Sequence, residues 1–554
     1  MVSAQKHGVI GGRRNKPDRS ASAGSGKVST PLQVFQLPFV LTFALFLLAF
    51  IPRVQQSPLL FWSFIGAAAT LLALQIALIL QLRRLAVSDA GAAMSQRHLQ
   101  IILRPQHYVQ AMVQASVFAY WGYHWQPVYD HVPLLVAQLL FAYTFDMLLS
   151  WSRRESYALG FGPFPIIFSI NLFLWFQDDW FYMQFLMIAA GFMGKEFIRW
   201  QRDGRLTHIF NPSAFALGLF SLVLLVTGTT ELTWGPEIAS TLTLAPNIYT
   251  FLFLVGLIVM YFFSITLVAG MAALVLFIMS ALYSTATGVP YFLDSEIPAA
   301  VFLGLHLLIT DPSTSPRTPL GKALFGGLYG LGVFVLYWLL GAIGVPTFYD
   351  KLLCVPLLNL SVRVIDQVVH SIRAQPWWSV WQQDFVPRRT NLIHMFVWVM
   401  LFGVMTTLGR TDGRHTGDAL PFWQEVCAAD RANACERLIQ LESTYCGDNS
   451  GWACNELGLH YLPDGISSPG GTVEADHELA IGYFSRACEL RFQPGCINLL
   501  EPDIAVRADP RELDLRLLLR EGGQNLLETP ENELYGRACA HGWEFACGRS
   551  ASSL

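Results

Sequence analysis

The sequence predicts an all-α protein in which a polytopic transmembrane helical bundle of about 13 spans is followed by a soluble domain of paired helices. Three observations predict this fold class. The 554 residues are 53% hydrophobic and 14% charged, whereas an ordinary soluble domain carries about 25% charged residues. The apolar residues lie in runs of helix length within residues 33–409. Eight of the nine cysteines lie in the more polar remainder, residues 410–554.

Residues 1–32 precede the first apolar run. They are rich in Ser, Gly, Lys and Arg, and they contain neither the apolar stretch nor the small-residue cleavage site of a signal peptide. We therefore interpret them as a disordered basic tail in the cytoplasm. The whole chain has a formal net charge of −4, which excludes a generally basic nucleic-acid binder.

A helix needs about 20 residues to cross the hydrocarbon core of a bilayer, and thirteen apolar segments meet or approach that length. The run 247–284 is too long for one span, so we predict a turn near Ser264–Gly270. The predicted spans lie near residues 33–52, 59–82, 107–123, 132–151, 159–176, 180–198, 211–228, 247–264, 267–284, 297–311, 322–341, 350–370 and 391–409.

Charged residues in the loops predict the orientation of the bundle. With the N-terminus in the cytoplasm, nearly all loop cations fall on the inner side, and the outer loops carry only Arg53 and Lys351. This asymmetry follows the positive-inside rule. An odd number of spans then places residues 410–554 in the periplasm. The sequence thus predicts a multi-pass protein of the bacterial inner (cytoplasmic) membrane.

The eight cysteines of the tail form four pairs with one spacing, C-x7-C. Thiols stay reduced in the cytosol and pair outside it, and an even number at a repeated spacing predicts a disulfide framework. Zinc ligands usually lie closer together in sequence, so we predict no metal site. Cys354 lies within a span and is expected to be a buried apolar residue. The predicted disulfides are Cys427–Cys435, Cys446–Cys454, Cys488–Cys496 and Cys539–Cys547.

The sequence around these pairs indicates helical hairpins. In "AIGYFSRACELRFQPGCINLL" an amphipathic stretch ends near Cys488, a turn with Pro494 follows, and a second helix begins at Cys496. Residues 420–550 resemble the Sel-one-like class of αα repeats, relatives of the tetratricopeptide repeats, in a disulfide-stapled form. The resemblance implies a curved surface that binds another protein, such as a membrane or periplasmic component of a complex. A compact cap without a partner is the alternative.

Three polar stretches adjoin the predicted spans. The first, residues 194–218, runs from a charged inner loop into a span through the sequence HIFNPS. Pro212 suits the first turn of a helix, where its missing N–H is not needed, and Asn211 can cap that helix. His208 and Ser213 flank these two residues.

The second stretch is residues 308–327. A run of Pro and Ser follows the end of one span, and the next span begins near its last cation. Backbone N–H groups freed in such a loop are suited to bind an anion when cations lie nearby. The candidate binding residues here are Asp311, Thr314, Arg317, Thr318 and Lys322.

The third stretch, residues 345–369, places three polar residues in or near the inner end of a span: Asn359, Arg363 and Asp366. Ionisable residues in a membrane usually face partners or a cavity. Arg363 and Asp366 are three residues apart, so they are also spaced to pair with each other on one helix.

In this order, the three stretches resemble the RnfD/NqrB membrane family, whose members belong to the Rnf electron-transport complex and to the sodium-pumping NADH:quinone oxidoreductase. The segments "FNPS", "TDPSTSPRTPLGK" and "LLNLSVRVID" are similar to the family patterns F-N-P-A, T-D-P-x-x-x-x-T-x-x-G and L-x-N-L-x-x-P-x-I-D. The similarity is closer still to the branch found among enediyne-biosynthesis membrane proteins. It covers roughly residues 150–370.

The resemblance implies electron transfer through a membrane-bound flavin, FMN or riboflavin. Family members carry FMN on the Thr of an S-G-A-T motif in an outer loop, and that motif is absent here. The corresponding loop, residues 229–247, offers only Thr241 and Thr243 as stand-ins, so noncovalent flavin is favoured over covalent attachment. No haem-attachment or iron–sulfur motif occurs.

We therefore expect an integral membrane component of a bacterial envelope complex, with an external repeat domain for protein docking and a possible part in electron transport. Whether it is an enzyme stays open, because no hydrolase triad or phosphate-binding loop marks a catalytic residue. The alternative is a non-catalytic membrane scaffold, or a small-ion or solute transporter, that uses the inherited fold.

Overall fold

A computed structural model describes residues 31–87, 97–202, 204–293, 295–373, 387–412, 415–431, 433–463, 475–519 and 529–551, and the predicted tail 1–32 lies almost wholly outside them. The described chain is mostly helical. The helices of its first part are α1 (Pro31–Leu48), α2 (Pro52–Gln55), α3 (Pro58–Val87), α4 (Pro105–His124), α5 (Pro127–Asp130), α6 (Val132–Arg153), α7 (Pro163–Asn171), α8 (Tyr182–Phe197), α9 (Pro212–Thr227), α10 (Gly235–Thr241), α11 (Ile248–Phe263), α12 (Thr266–Thr287), α13 (Ala299–Leu307), α14 (Pro319–Ala342), α15 (Asp350–Arg373) and α16 (Pro387–Thr407).

Six helical segments in the described residues are long and apolar enough to cross a membrane, and a bent pair of helices makes a seventh if it counts as one span. Each of the thirteen predicted segments contains a helix, but the count of thirteen spans stays a prediction. The six segments are Pro58–Arg84, Pro127–Arg153, Thr266–Thr287, Pro319–Ala342, Thr347–Arg373 and Arg389–Thr407.

Helix boundaries follow local sequence signals. Proline occupies the first turn of α4, α7, α9 and α14, where its fixed φ suits the helix and its missing N–H has no partner to lose. The predicted turn within 247–284 is confirmed: α11 ends at Phe263, Ser264 adopts a left-handed φ of 54°, and α12 begins at Thr266.

Two small sheets lie together at one end of the bundle, which we name the sheet end. In the first, β1 (His98–Ile101) pairs in parallel with β2 (Ser156–Leu159); in the second, β3 (Arg199–Arg202) pairs antiparallel with β4 (Arg205–His208). The buried Glu196 joins the two sheets through ion pairs with Arg154 and Arg199. The sheet end therefore gathers cations that the sequence assigned to inner loops.

Two chain segments cross the core only partly as helix. The nine-residue helix α7 starts at the sheet end, and residues 172–176 continue it as buried chain without helix. The nine-residue helix α13 runs the opposite way, and buried residues 308–310 continue towards the sheet end. Nine helical residues rise about 14 Å, roughly half a bilayer core. We name these two segments of opposite direction the broken crossings; neither is among the candidate spans of the described residues, so their crossing of a membrane stays a prediction.

The second half of the bundle packs through small residues. A Cβ at Gly326 would lie 2.2 Å from the Val268 carbonyl oxygen, and one at Gly330 would lie 2.6 Å from that of Ala272. The absence of side chains at both positions therefore lets α14 approach the backbone of α12 closely. Small residues four apart are the usual device for such contacts in membranes.

Residues 415–551 form a second helical region with its own buried core, centred on Trp423, Trp452 and Tyr445. Each predicted cysteine pair lies at disulfide distance, with S–S separations from 2.01 to 2.26 Å, and Cys354 is free and buried. The helices are α17 (Leu420–Ala428), α18 (Ala434–Gly447), α19 (Gly451–His460), α20 (His477–Glu489), α21 (Gln493–Leu500), α22 (Leu515–Leu518), α23 (Glu531–Ala540) and α24 (Glu544–Ala551).

This disulfide-linked region is docked on the bundle end opposite the sheets, which we name the domain end. The Asp412 carboxylate accepts hydrogen bonds from the backbone N–H groups of Tyr249 and Thr250 at 2.7 and 2.9 Å, at the start of α11. Arg437 on α18 donates to the Tyr337 hydroxyl at 3.1 Å on α14. The two parts of the chain thus share an interface built from backbone caps and polar contacts.

A buried carboxylate anchors the same interface. Glu296 accepts from Ser280 at 2.7 Å and pairs with Arg410 at 2.7 Å, and His415 lies 3.8 Å away. Burial alone would raise the pKa of the Glu296 carboxyl, but the facing His415, Ser280 and Arg410 outweigh burial and lower the pKa below its usual value. Glu296 is therefore held as an anion between the bundle and the C-terminal region.

Candidate functional site

The three polar stretches meet next to the sheet end, with Asn211 at the junction. Its side-chain oxygen caps α9 by accepting from the backbone N–H groups of Ser213 and Ala214 at 3.1 and 3.4 Å. Its side-chain amide donates to the Leu308 carbonyl at 3.0 Å. Pro212 occupies the first helical position, as predicted. Asn211 therefore ties the first stretch to the second.

Asn359 on α15 connects the third stretch to the first and the second. The Asn359 side-chain oxygen accepts from the backbone N–H of Asn211 at 3.1 Å, and its amide group donates to the Thr314 carbonyl at 3.2 Å. Asn359 is 1% exposed, so both bonds are shielded from water. We name Asn211, Asn359 and the carbonyls of Leu308 and Thr314 the polar latch.

His208 and Asp311 lie beside the latch. The His208 Nε2 is 2.9 Å from the Ser313 hydroxyl and 3.7 Å from the Asp311 carboxylate. Asp311 also accepts from the Ser313 hydroxyl at 2.6 Å and from its backbone N–H at 2.9 Å. Sequence analysis named His208 and Asp311, and the structure brings them together through Ser313.

The cations of this region bind protein groups. Arg202 donates to the Ser315 carbonyl at 3.0 Å and pairs with Asp366 at 2.8 Å, while Arg363 donates to the Gln201 carbonyl at 3.2 Å. Asp366 thus takes Arg202 of β3 as a partner, a contact between distant segments that the three-residue spacing on α15 did not suggest.

The remaining predicted binding residues are spread over the start of α14. Thr318 caps this helix by accepting from the Gly321 N–H at 3.1 Å. Lys322 donates to the Ser264 carbonyl at 2.8 Å, in the turn between α11 and α12, and Arg317 is exposed. The loop does retain one unsatisfied group: the Ser315 hydroxyl is buried and has no hydrogen-bond partner among the described residues.

The two threonines considered as possible sites of flavin attachment lie between α9 and α11, outside the three polar stretches. The hydroxyls of Thr241 and Thr243 donate to the carbonyls of Glu237 and Ser240, each at 2.6 Å. Both hydroxyls therefore satisfy the local helix backbone, as Thr commonly does near a helix end.

The two broken crossings meet in the middle of the bundle, and sequence analysis missed this arrangement. A Cβ at Gly304 on α13 would lie 3.7 Å from the Phe173 ring, which follows α7, and 3.0 Å from the Tyr329 hydroxyl. The Tyr329 hydroxyl and the Nε2 of His306 are buried and have no hydrogen-bond partner within the described part of the chain. Buried unpaired polar groups are rare in native proteins and call for an explanation.

The first broken crossing is supported by a fully buried amide network. Asn171, the last residue of α7, exchanges hydrogen bonds with Gln138 at 2.7 and 2.9 Å and lies 2.9 Å from the His131 Nε2. His131 stacks in parallel on Trp175 with 4.1 Å between ring centroids. This network fixes residues 172–176 in place after the helix ends.

A cavity of about 750 Å³ opens next to His131 and Trp175. Its wall also includes Arg53, Asp178 and Trp234. Sequence analysis named none of these residues as a site, although the charged pair in "FQDDWF" inside an otherwise apolar stretch was a signal. Among the described residues, no group of three or more His, Cys, Asp or Glu side chains could hold a metal ion.

The C-terminal region contains a second polar cluster on α18 and α19. Glu442 is fully buried and lies 2.9 Å from the His460 Nε2, and Glu456, 2% exposed, pairs with Arg507 at 3.2 Å. Burial raises the pKa of the Glu456 carboxyl to about 7, and the attraction of Arg507 opposes that shift only in part.

Comparison of the chain with protein-family models, curated proteins and solved structures gives no match in any of the three.

Proposed function

We propose that this chain is an integral membrane component of a bacterial envelope complex and that its bundle moves a small ion or solute. The observation that carries the proposal is the pair of broken crossings, α7 and α13, which run in opposite directions and meet beside Gly304 and Tyr329. Discontinuous helices of opposite direction typically form the binding site near the midplane of transporters.

Two unpaired polar groups near α13 support the same proposal: the Tyr329 hydroxyl lies at the meeting point, and His306 lies on a different face of α13, against Gly256 of α11. The His306 Nε2 and the Tyr329 hydroxyl are buried without described partners, and an unsatisfied polar group in an apolar interior costs about 1–3 kcal/mol. A passing ion, water or polar solute at the meeting point would satisfy the Tyr329 hydroxyl. On this proposal, the protein keeps an unsatisfied polar group in its interior because the transport pathway needs a hydrogen-bonding group in its middle.

Reconstitution into liposomes tests this function. We expect the protein to raise the flux of one of four probes, Na⁺, K⁺, protons or glycerol, above that of empty liposomes. Tyr329→Phe should lower that flux at least fivefold without lowering thermal stability, because it removes a hydroxyl that has no described partner. Tyr123→Phe, at a tyrosine that is 78% exposed, is the matched control. Absence of flux for all probes, or flux unchanged in Tyr329→Phe, would contradict the proposal.

We further propose that the sheet end faces the cytoplasm and the domain end faces the periplasm. Cations gathered around Glu196 at the sheet end support this orientation, and the four disulfides at the other end support an oxidising compartment. A cysteine introduced at exposed Arg317 should resist a membrane-impermeant maleimide in intact spheroplasts and react after lysis, whereas one at exposed Asp503 should react in both.

Electron transfer through flavin is the second candidate function. It is favoured by the resemblance of the three motif stretches to the RnfD/NqrB family and by the buried, unpaired Ser315 hydroxyl in the second stretch. Purification in mild detergent should then yield protein with flavin absorbance that is lost on denaturation, and Ser315→Ala should lower flavin content. Colourless protein would contradict this candidate without affecting transport.

For the C-terminal region we propose a Sel-one-like docking domain that recruits another envelope protein. Its paired helices, each pair linked by a disulfide, support this role. Affinity purification of the full chain should recover that protein, and deletion of residues 475–551 should abolish its recovery while the bundle stays in the membrane.

A further inference from the structure

The cavity at the domain end of the first half of the bundle has the volume of a ligand site. The residues that follow α4 line this cavity. The end of α4 lies beside the start of α11, because the Tyr120 hydroxyl donates to the Pro246 carbonyl, and the start of α11 contacts Asp412 at the domain end. The cavity volume of about 750 Å³ lies in the range of sites for small organic molecules, roughly 300–1,000 Å³. The cavity therefore opens on the side that carries the disulfide-linked region.

Charge in the cavity is predominantly negative. Three aspartates and one arginine line it: Asp130, Asp178, Asp179 and Arg53. Arg53 forms a two-point ion pair with Asp178 at 2.7 and 2.8 Å, so these two charges compensate each other. Asp179 accepts one hydrogen bond, from Ser57 at 2.9 Å, and no described cation forms an ion pair with it, whereas Asp130 lies within electrostatic reach of Arg53 without forming an ion pair with it. Three carboxylates against one guanidinium leave the lining with an excess negative charge, which attracts a cation.

Aromatic rings supply the other half of the site. Trp175 is held rigidly, since it stacks on His131 at 4.1 Å on one side and contacts Trp125 at 5.7 Å on the other. Trp234 is 40% exposed, and its backbone N–H donates to the Trp175 carbonyl at 2.8 Å. Because both faces of the Trp175 ring are covered, the exposed Trp234 indole supplies the ring face that can attract a cation beside the carboxylates.

A bare metal ion fits this site poorly, because no described cluster of three ligating side chains exists. The geometry points to a small organic cation, an ammonium or guanidinium group attached to an apolar body, as the ligand of this cavity. The charged group would lie near Asp130 and Asp179, and the apolar body would lie against the exposed Trp234 ring. This proposal is independent of the transport function, because binding at the cavity requires no passage through the bundle.

Calorimetric titration of the detergent-solubilised full chain tests the proposal. The probes are phenethylamine, its neutral analogue 2-phenylethanol, benzyltrimethylammonium, NaCl and maltose. We expect saturable binding of the two organic cations and at least tenfold weaker binding of 2-phenylethanol. The double variant Asp130→Asn/Asp179→Asn should weaken phenethylamine binding at least tenfold, and Trp234→Leu about fivefold.

Asp503→Asn, at an exposed carboxylate in the C-terminal region, is the control and should bind like the parent. Each variant is compared at matched thermal stability and elution volume, so that loss of folding is recognised. Three results would overturn the proposal: equal binding of 2-phenylethanol and phenethylamine, cation binding that survives the double variant, or no saturable heat with either organic cation. Binding of maltose alone would identify a carbohydrate site and would also overturn it.

Discussion

The backbone N–H of Asn211 donates a hydrogen bond of 3.1 Å to the side-chain oxygen of Asn359. One asparagine caps a helix and the other lies in the middle of a different helix, so this bond links the first and third polar stretches directly. The carbonyls of Leu308 and Thr314 accept from the two side-chain amides. These three hydrogen bonds of the polar latch thus join segments that are distant in sequence.

Replacing Asn359 should destabilise the bundle. Asn359→Leu leaves the Asn211 N–H and the Thr314 carbonyl buried without their partner, and each such group costs about 1–3 kcal/mol. We expect a lower midpoint in a thermal-stability assay read by size-exclusion chromatography. Asn359→Asp, assayed at pH 5, keeps an acceptor for Asn211, and when protonated its carboxyl also donates to the Thr314 carbonyl, so this variant should lose less. Equal loss in the two variants would contradict the assigned roles.

The consecutive glycines of α14 give a matched pair for testing its packing. A Cβ at Gly326 would lie 2.2 Å from the Val268 backbone carbonyl oxygen, whereas one at Gly327 would first meet the Val275 side chain at 3.7 Å. Gly326→Ala should therefore force α12 and α14 apart and destabilise the bundle by about 1–3 kcal/mol. Gly327→Ala should be neutral or slightly stabilising, because Ala favours helix. The same thermal assay measures both, and equal effects would contradict the close approach.

Local signals in the sequence predicted the helix starts and the turn at Ser264, because capping residues, proline and glycine act within a few residues. The cap formed by Asn211 was predictable for the same reason. Its partner Asn359 was not, since a hydrogen bond between distant segments leaves no spacing to recognise. The ion pair of Asp366 with Arg202 illustrates the same limit, because it joins α15 to β3. The local pair of Arg363 and Asp366 stays a prediction.

The broken crossings escaped prediction for a different reason. Residues 172–176 are as apolar as α7 itself, and all are buried. Composition cannot distinguish a helix from extended chain when both are surrounded by protein. The extended chain differs from a helix in its hydrogen-bond partners, which are side chains of other segments. The Gln138 side chain binds the Asn171 side chain, and the Gln184 side chain accepts from the backbone N–H of Phe176. Those partners come from other helices.

Counting thiols checks the disulfide framework. The chain has nine cysteines, of which Cys354 is free and buried. Protein purified without reductant should therefore take up one maleimide after denaturation and nine after reduction, as measured by intact mass. Uptake of three or more before reduction would contradict at least one of the four disulfides.

Replacing both Cys488 and Cys496 by Ala should destabilise the C-terminal region by roughly 2–3 kcal/mol, through loss of a short closed loop.

Glu456 should make the C-terminal region less stable as pH rises. Burial holds the pKa of its carboxyl at about 7 in the folded protein, above the usual value near 4.3 for the unfolded chain. The folded state therefore binds the proton more tightly. Its stabilisation is fully present below pH about 4.3 and is lost as pH rises through about 7, when a buried group must ionise.

Hydrogen exchange of the α19 amides at pH 5.5 and 8, corrected for intrinsic rates, measures this loss. Glu456→Gln removes the ionisation, so it should raise protection at pH 8 by on the order of 2 kcal/mol and flatten the pH dependence. Its lost ion pair with Arg507 offsets little of this gain, because that guanidinium is half exposed. Glu489→Gln, at a carboxylate that is 63% exposed, should leave the profile unchanged. A parent whose α19 protection stayed the same from pH 5.5 to 8 would contradict this prediction and show that Glu456 is ionised throughout that range, because Arg507 would then outweigh burial.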